Sequence, residues 1–199
     1  MAHAFRRKGD TFVARMDPTE VAVVAGLMDQ TRAVLRPEVT PTGDAFTDLI
    51  ASMERDAQPG HDRPAPEERD PALRRLLPDA HRGDPDVAAE FRHLTEQGLR
   101  QRKYTTLTTA IDALAAATPE KVTLTRAQAE ALLVALTDTR LLLGERLGLQ
   151  TEEDTERLAR EAAVADLDDP LVYAVSVYDF LTWLQDSLTG ALMGRRLFR

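Results

Sequence analysis

Side chains that could carry out catalysis are few in this sequence, and their spacing does not suit it. The four histidines are His3, His61, His81 and His93, and no two stand three or four residues apart, as a helical metal site requires. The sequence contains no G-x-S-x-G, no glycine-rich phosphate loop and no H-E-x-x-H motif. Cysteine is absent, which excludes disulfides, thiolate metal sites and thiol redox chemistry. We therefore expect a protein that is not an enzyme and holds no metal or cofactor.

Arg140 occupies an unusual position for a charged residue. The spacing 4, 4, 3, 4 places one arginine among four leucines on one helix face: Leu132, Leu136, Arg140, Leu143 and Leu147. A guanidinium on an apolar stripe must be paired or reach solvent, because desolvating it alone costs several kcal/mol. We expect a buried charge with a carboxylate or a set of carbonyls opposite it. A side chain that reaches solvent, or one that contacts a ligand or partner, is the alternative.

The only tryptophan, Trp183, falls near the polar side of the last predicted helix. A helical projection places it beside Ser176, Asp179 and Asp186, so Asp179 is expected at the surface. An accessible tryptophan with a polar rim is typical of protein interfaces, where tryptophan is enriched among the residues that contribute most to binding. A tryptophan buried under a neighbouring helix is the alternative interpretation. Trp183, Asp179 and Asp186 are therefore candidates for binding a partner.

A short basic run offers a second candidate surface. Arg100, Arg102 and Lys103 precede Tyr104, and this combination suits contact with phosphates and stacking on bases. The formal net charge of -8 argues against non-specific wrapping of nucleic acid, because affinity for phosphates grows with the number of cations that displace counterions. We take the three basic residues as partner-binding candidates and leave direct DNA contact as an alternative.

Charge is unevenly distributed along the chain. The first 16 residues carry four basic side chains against one acid, whereas residues 152–169 carry eight acids against two arginines. One interpretation is a solvated surface with attraction between oppositely charged segments, and the other is a docking surface.

Local signals predict a mainly α-helical fold, a single-domain helical bundle with a short N-terminal β-hairpin. Residues 5–7 and 11–15 flank a glycine turn and read as the two strands. Asp17, Pro18 and Glu20 form a capping signal for a helix that ends near Arg36. The later helices are predicted at 44–55, from Asp70-Pro71, from Asp84-Pro85 through Leu114, at 126–147 and from Asp169-Pro170. The helix that ends at Leu114 could break near Gly98. A short extended segment is predicted at 121–124, and residues 151–165 are predicted to form an acidic helix or loop.

Residues 56–70 contain prolines, a glycine and many charges but no large apolar side chain, which predicts a flexible internal linker. The expected organisation is one domain over 1–199, with the hairpin at 1–16, helices at 17–55, the linker at 56–70 and a helical bundle at 71–199. No stretch reaches the roughly 18 to 20 apolar residues of a spanning helix, and the N-terminus lacks the apolar core of a signal peptide. We expect a cytoplasmic protein with no membrane contact.

Three stretches carry a resemblance to a known family: AFRRKGDTFVARMDPTEVAVVAGL near the start, ALTDTRLLLGERLG at 135–148 and YAVSVYDFLTWLQDSL at 173–188. They resemble the actinobacterial family of unknown function that includes the oxidative-stress transcriptional regulator AosR. The resemblance implies a cytoplasmic regulator that acts with the transcription machinery through a sigma factor under oxidative stress. Thr137 stands where the family helix has asparagine, and the family motif also contains Arg140. The lack of cysteine departs from the redox switch expected of such a regulator, so the fold carries over more safely than the redox sensing.

These observations lead to one leading hypothesis and one alternative. We expect an oxidative-stress-linked transcriptional regulator that acts by binding a sigma factor or another transcription component. The alternative is a non-enzymatic adaptor or scaffold linked to proteolysis, which would use the acidic residues 152–169 to attract a basic partner. Assembly into a homodimer is left open.

Overall fold

The structure is a computed structural model that describes residues 2–36, 70–78, 85–118, 120–166 and 168–194, with the backbone alone described at 85–94. The helix predicted at 44–55 and the linker predicted at 56–70, except Asp70, lie outside the described residues.

The predicted hairpin is confirmed, and a third strand joins it. Strand β1 spans His3–Lys8 and β2 spans Thr11–Arg15, and the turn between them contains Gly9 with φ 62°, a conformation that glycine adopts without strain. Strand β3, Val122–Leu124, pairs antiparallel with β2, so the sheet order is β1-β2-β3. The sequence predicted an extended piece here but not its pairing, because the partner lies more than 100 residues away.

The predicted helices in the described part of the chain are confirmed. Their bounds are α1 Pro18–Val34, α2 Pro71–Leu76, α3 Pro85–Ala115, α4 Arg126–Arg146, α5 Glu152–Val164 and α6 Pro170–Leu192. Helix α3 runs without interruption through Gly98, so the break allowed there is absent. The acidic segment that was read as a helix or a loop is helix α5.

Side-chain caps explain where most of these helices begin. Asp17 Oδ1 accepts from the Glu20 N–H at 2.9 Å while Glu20 Oε2 accepts from the Asp17 N–H at 2.9 Å, which satisfies two backbone donors at the start of α1. Thr125 with Gln128 forms the same arrangement before α4. At α5 the carboxylate of Asp154 accepts from the N–H groups of Gln150 and Thr151, and these bonds lower its pKa.

Helix α4 lies at the centre of the described core. It contacts α1, α2, α3 and α6, and Leu132 and Leu136 are fully buried on it. The inner face of the sheet contributes Phe5 and Phe12 to the same core, and the Phe5 N–H donates to Ser187 Oγ of α6 at 3.3 Å. Helix α6 is therefore held between α4 and β1.

Candidate interaction surface

Helix α6 presents an exposed aromatic edge although its sequence is the most apolar long stretch in the chain. Tyr173 is 62% exposed and Trp183 is 39% exposed. Phe180, half-buried, stacks on Trp183 with ring centroids 5.9 Å apart and planes inclined by 22°. Positions 173, 180 and 183 lie on one side of the helix because they are separated by seven and three residues. We call these three side chains the aromatic edge.

Two aspartates of α6 lie near the aromatic edge, and the neighbouring helix α5 carries further acids. Asp179 and Asp186 are exposed, as the helical projection predicted for Asp179, and neither forms an ion pair with another residue that the structure describes. Helix α5, which packs against α6, exposes Glu152, Glu153 and Glu156. The sequence has no lysine, arginine or histidine from 161 to 194. The surface therefore combines large apolar side chains with negative charge.

Of the two partners predicted opposite Arg140, a carboxylate or a set of carbonyls, the structure shows one side-chain carbonyl oxygen and no carboxylate among the described residues. The half-buried guanidinium donates from Nη1 to Gln185 Oε1 at 2.7 Å and from Nη2 to the Tyr178 hydroxyl at 3.5 Å, and its Cζ lies 5.2 Å from the centroid of the Tyr178 ring. Gln185 in turn donates from Nε2 to Thr137 Oγ1 at 2.9 Å. An amide and an aromatic ring take the place of a carboxylate because α6 presents neutral polar side chains to this face of α4. Arg140 thus joins α4 to α6 on a side of α6 other than the one that carries the aromatic edge, because Gln185 stands only two residues after Trp183.

The basic run at 100–103 does not form a surface patch. Arg100 is 8% exposed and forms an ion pair with Glu96 at 2.9 Å, while Lys103 pairs with Asp138 at 2.5 Å. Arg102 alone is exposed. The reason is helical geometry: 100 and 103 share a face with the buried residues 107, 110 and 114, and 102 points the other way. The spacing of 3, 4, 3 and 4 residues between positions 100, 103, 107, 110 and 114 can be read in the sequence and predicts that Arg100 and Lys103 face inward.

Sequence reasoning missed Asp138, the most deeply buried acid in the described residues. Its side chain is 2% exposed, and its Oδ2 has no hydrogen-bond partner. Burial raises the pKa of Asp138, and the hydrogen bond and charge of Lys103 offset that rise only in part. Asp138 lies on the same face of α4 as the buried Ala135 and Leu142. This is a second buried face of the helix, and the spacing of these residues predicts it once α4 is known to have neighbours on two sides.

The described residues hold no group of three or more histidine, aspartate or glutamate side chains placed to bind a metal ion. His3 is exposed on β1, and the side chains of His61, His81 and His93 lie outside the described residues. In the described part of the chain, no helix is both long and apolar enough to cross a membrane.

Fold and surface together define a mainly helical protein with a small antiparallel sheet and an exposed aromatic edge. The chain belongs to a family described as a domain of unknown function, DUF2017, whose model matches residues 2–192. No curated protein matches the chain, and no solved structure does.

Proposed function

We propose that this protein is a regulator that acts by binding another protein through the aromatic edge of α6. The observation that carries the proposal is the stacked pair of Phe180 and Trp183, with Trp183 open to solvent. Stacked aromatic rings bury much apolar area when covered, and interface positions that contribute most to affinity are enriched in tryptophan and tyrosine. Because Arg140 and the core hold α6 in place, the edge is rigid before binding, which lowers the entropic cost of association.

The charge around the edge indicates the chemistry of the partner. Asp179 and Asp186 form no ion pair with another described residue, and α5 carries more acids than its two arginines, Arg157 and Arg160, so a basic segment with apolar side chains would complement the surface. Opposite charge at the rim speeds association and excludes acidic partners.

The more specific part of the proposal is a sigma factor or another transcription component as the partner, under oxidative stress. It is supported by the resemblance in the segment at 135–148, which covers the second half of α4, and in the segment at 173–188, which is the part of α6 that carries the aromatic edge. Without cysteine, a direct response to oxidant would have to use a thioether or a bound group. Met193, 68% exposed at the end of α6, is the most accessible sulfur in the described residues, since Met16 and Met28 are buried.

Affinity capture tests this proposal. The tagged full chain, its Trp183→Ala variant and a Val134→Ala control are incubated with an actinobacterial lysate, with and without peroxide, and captured proteins are identified by mass spectrometry. Val134 is a matched control because it is 46% exposed and lies on α4, away from the aromatic edge.

We expect wild type and Val134→Ala to recover a sigma factor or polymerase, and Trp183→Ala to lose it. Recovery of no transcription component would contradict the proposal. Recovery of protease components alone would favour the adaptor alternative, in which the exposed acids of α5 attract the partner.

A further inference from the structure

The outer face of the small sheet concentrates positive charge in a protein whose net charge is negative. Opposite residues of an antiparallel pair point to the same face, and the register places Arg6 beside Val13 and Thr123, Lys8 beside Thr11, and His3 beside Arg15. Lys121 directly precedes β3 and alternation places it on this face too. We define the basic face as the four cations Arg6, Lys8, Arg15 and Lys121.

All four cations of the basic face are exposed. None forms an ion pair with another residue in the part of the chain that the structure describes. The acids nearest in the sequence are outside the strands: Asp10 in the hairpin turn, Asp17 at the cap of α1 and Glu120 before Lys121. Because no carboxylate in the described residues pairs with these cations, their charge is available to a bound anion.

The residue types on the basic face favour phosphates over an acidic protein segment. Arginine and lysine contact nucleic-acid phosphate oxygens, as do polar side chains such as threonine, and Thr11 and Thr123 stand between the cations. Val13 is the only apolar residue among the outward residues of the paired positions, and the imidazole of His3 is the only ring among them. A protein interface would need an apolar or aromatic centre, and Val13 alone does not provide one.

We infer that the basic face binds the phosphate backbone of nucleic acid, weakly and without sequence preference, independently of the protein-binding edge on α6. Arg6 and Lys8 stand two residues apart on β1, about 7 Å along the strand, and Arg15 and Lys121 extend the positive charge across the sheet. Binding of this kind is driven by release of counterions. The overall negative charge of the protein then keeps it from coating nucleic acid elsewhere.

Fluorescence anisotropy with a labelled, mixed-sequence DNA duplex tests the inference on the full chain. If four cations contact phosphates, affinity falls about 150-fold between about 50 and about 200 mM salt, whereas two contacts give about 12-fold. We expect wild type to show the steeper dependence, and both Arg6→Gln/Arg15→Gln and Lys8→Gln/Lys121→Gln to show the shallower one. The matched control is Arg74→Gln/Arg160→Gln, which removes the same charge from exposed positions on α2 and α5.

Several outcomes would overturn the inference. Absence of binding by wild type at low salt would do so, as would an equal loss of binding in the control and in the sheet variants. Competition by polyglutamate as effective as competition by unlabelled duplex would assign the face to an acidic protein segment instead. Circular dichroism of each variant verifies that the fold is retained, which is expected because all six positions are exposed.

Discussion

At the scale of single residues, the ion pair of Asp138 with Lys103 matters most for stability, and the sequence did not predict it. The carboxylate is buried between α3 and α4, and only one of its oxygens has a hydrogen-bond partner. A buried charge is tolerated when it is paired, and it becomes strongly destabilising when the partner is removed. The pair therefore gives the α3–α4 contact one preferred alignment.

Replacing Lys103 by methionine should lower the free energy of unfolding by about 3 kcal/mol, because it leaves Asp138 buried without its counter-charge. Urea unfolding followed by circular dichroism measures this change. The double variant Lys103→Met/Asp138→Leu should recover most of the loss, since an apolar pair of similar volume needs no compensation. A single variant as stable as wild type would show that the ion pair is not formed.

The raised pKa of Asp138 makes stability depend on pH in a definite direction. Between its ordinary value of 3.8 and its raised value, the folded state binds a proton that the unfolded state does not, so stability is lost as pH rises through this window. Relative to Asp138→Asn, wild type should gain stability as the pH is lowered from 7 towards 4. Urea midpoints of both proteins across this range measure the difference. The opposite trend would mean that Lys103 outweighs the cost of burial.

At the scale of elements, Arg140 connects α4 to the helix that carries the aromatic edge. Arg140→Met keeps the apolar stem but removes the bonds to Gln185 and Tyr178, and should cost about 1 to 2 kcal/mol of unfolding free energy. Arg126→Met is the control, because the exposed pair of Arg126 with Glu130 should contribute less than about 1 kcal/mol. Equal stability of the two variants in urea would contradict the structural role given to Arg140.

Element boundaries were predictable from the sequence because their signals are local. Asp17 with Glu20, Thr125 with Gln128, and Asp169 before Pro170 each mark a helix start that the structure confirms. Pairing between elements was not predictable in the same way. The partner of β3 and the neutral groups around Arg140 come from distant segments, and no local spacing encodes them.

The candidate sites were predicted less well than the fold, for a geometric reason. Arg100 and Lys103 were interpreted as a contiguous basic run, although a helix turns them inward and leaves Arg102 outside. The same projection applied to α6 predicted that Asp179 lies at the surface, and it left open whether Trp183 is exposed or buried. The basic face of the sheet emerges only when β3 is placed beside β2, which brings Lys121 near residues of the N-terminal hairpin.

At the scale of the whole molecule, two surfaces of opposite character are held by one core. The aromatic edge of α6 is apolar with an acidic rim, and the outer face of the sheet is basic. Helix α6 contacts β1, so the two surfaces are built on neighbouring elements. A protein of this kind would be able to hold a protein partner close to nucleic acid, which suits the proposed action in transcription.

Site-specific photocrosslinking in cells tests the central claim most directly. A photoreactive phenylalanine analogue replaces Trp183 in one protein and Arg74 of α2, also exposed, in the control. We expect a crosslink from position 183 to a sigma factor or polymerase subunit and none from position 74. Crosslinks of equal yield from both positions, or none from position 183 while the complex still forms, would contradict the claim that α6 is the binding surface.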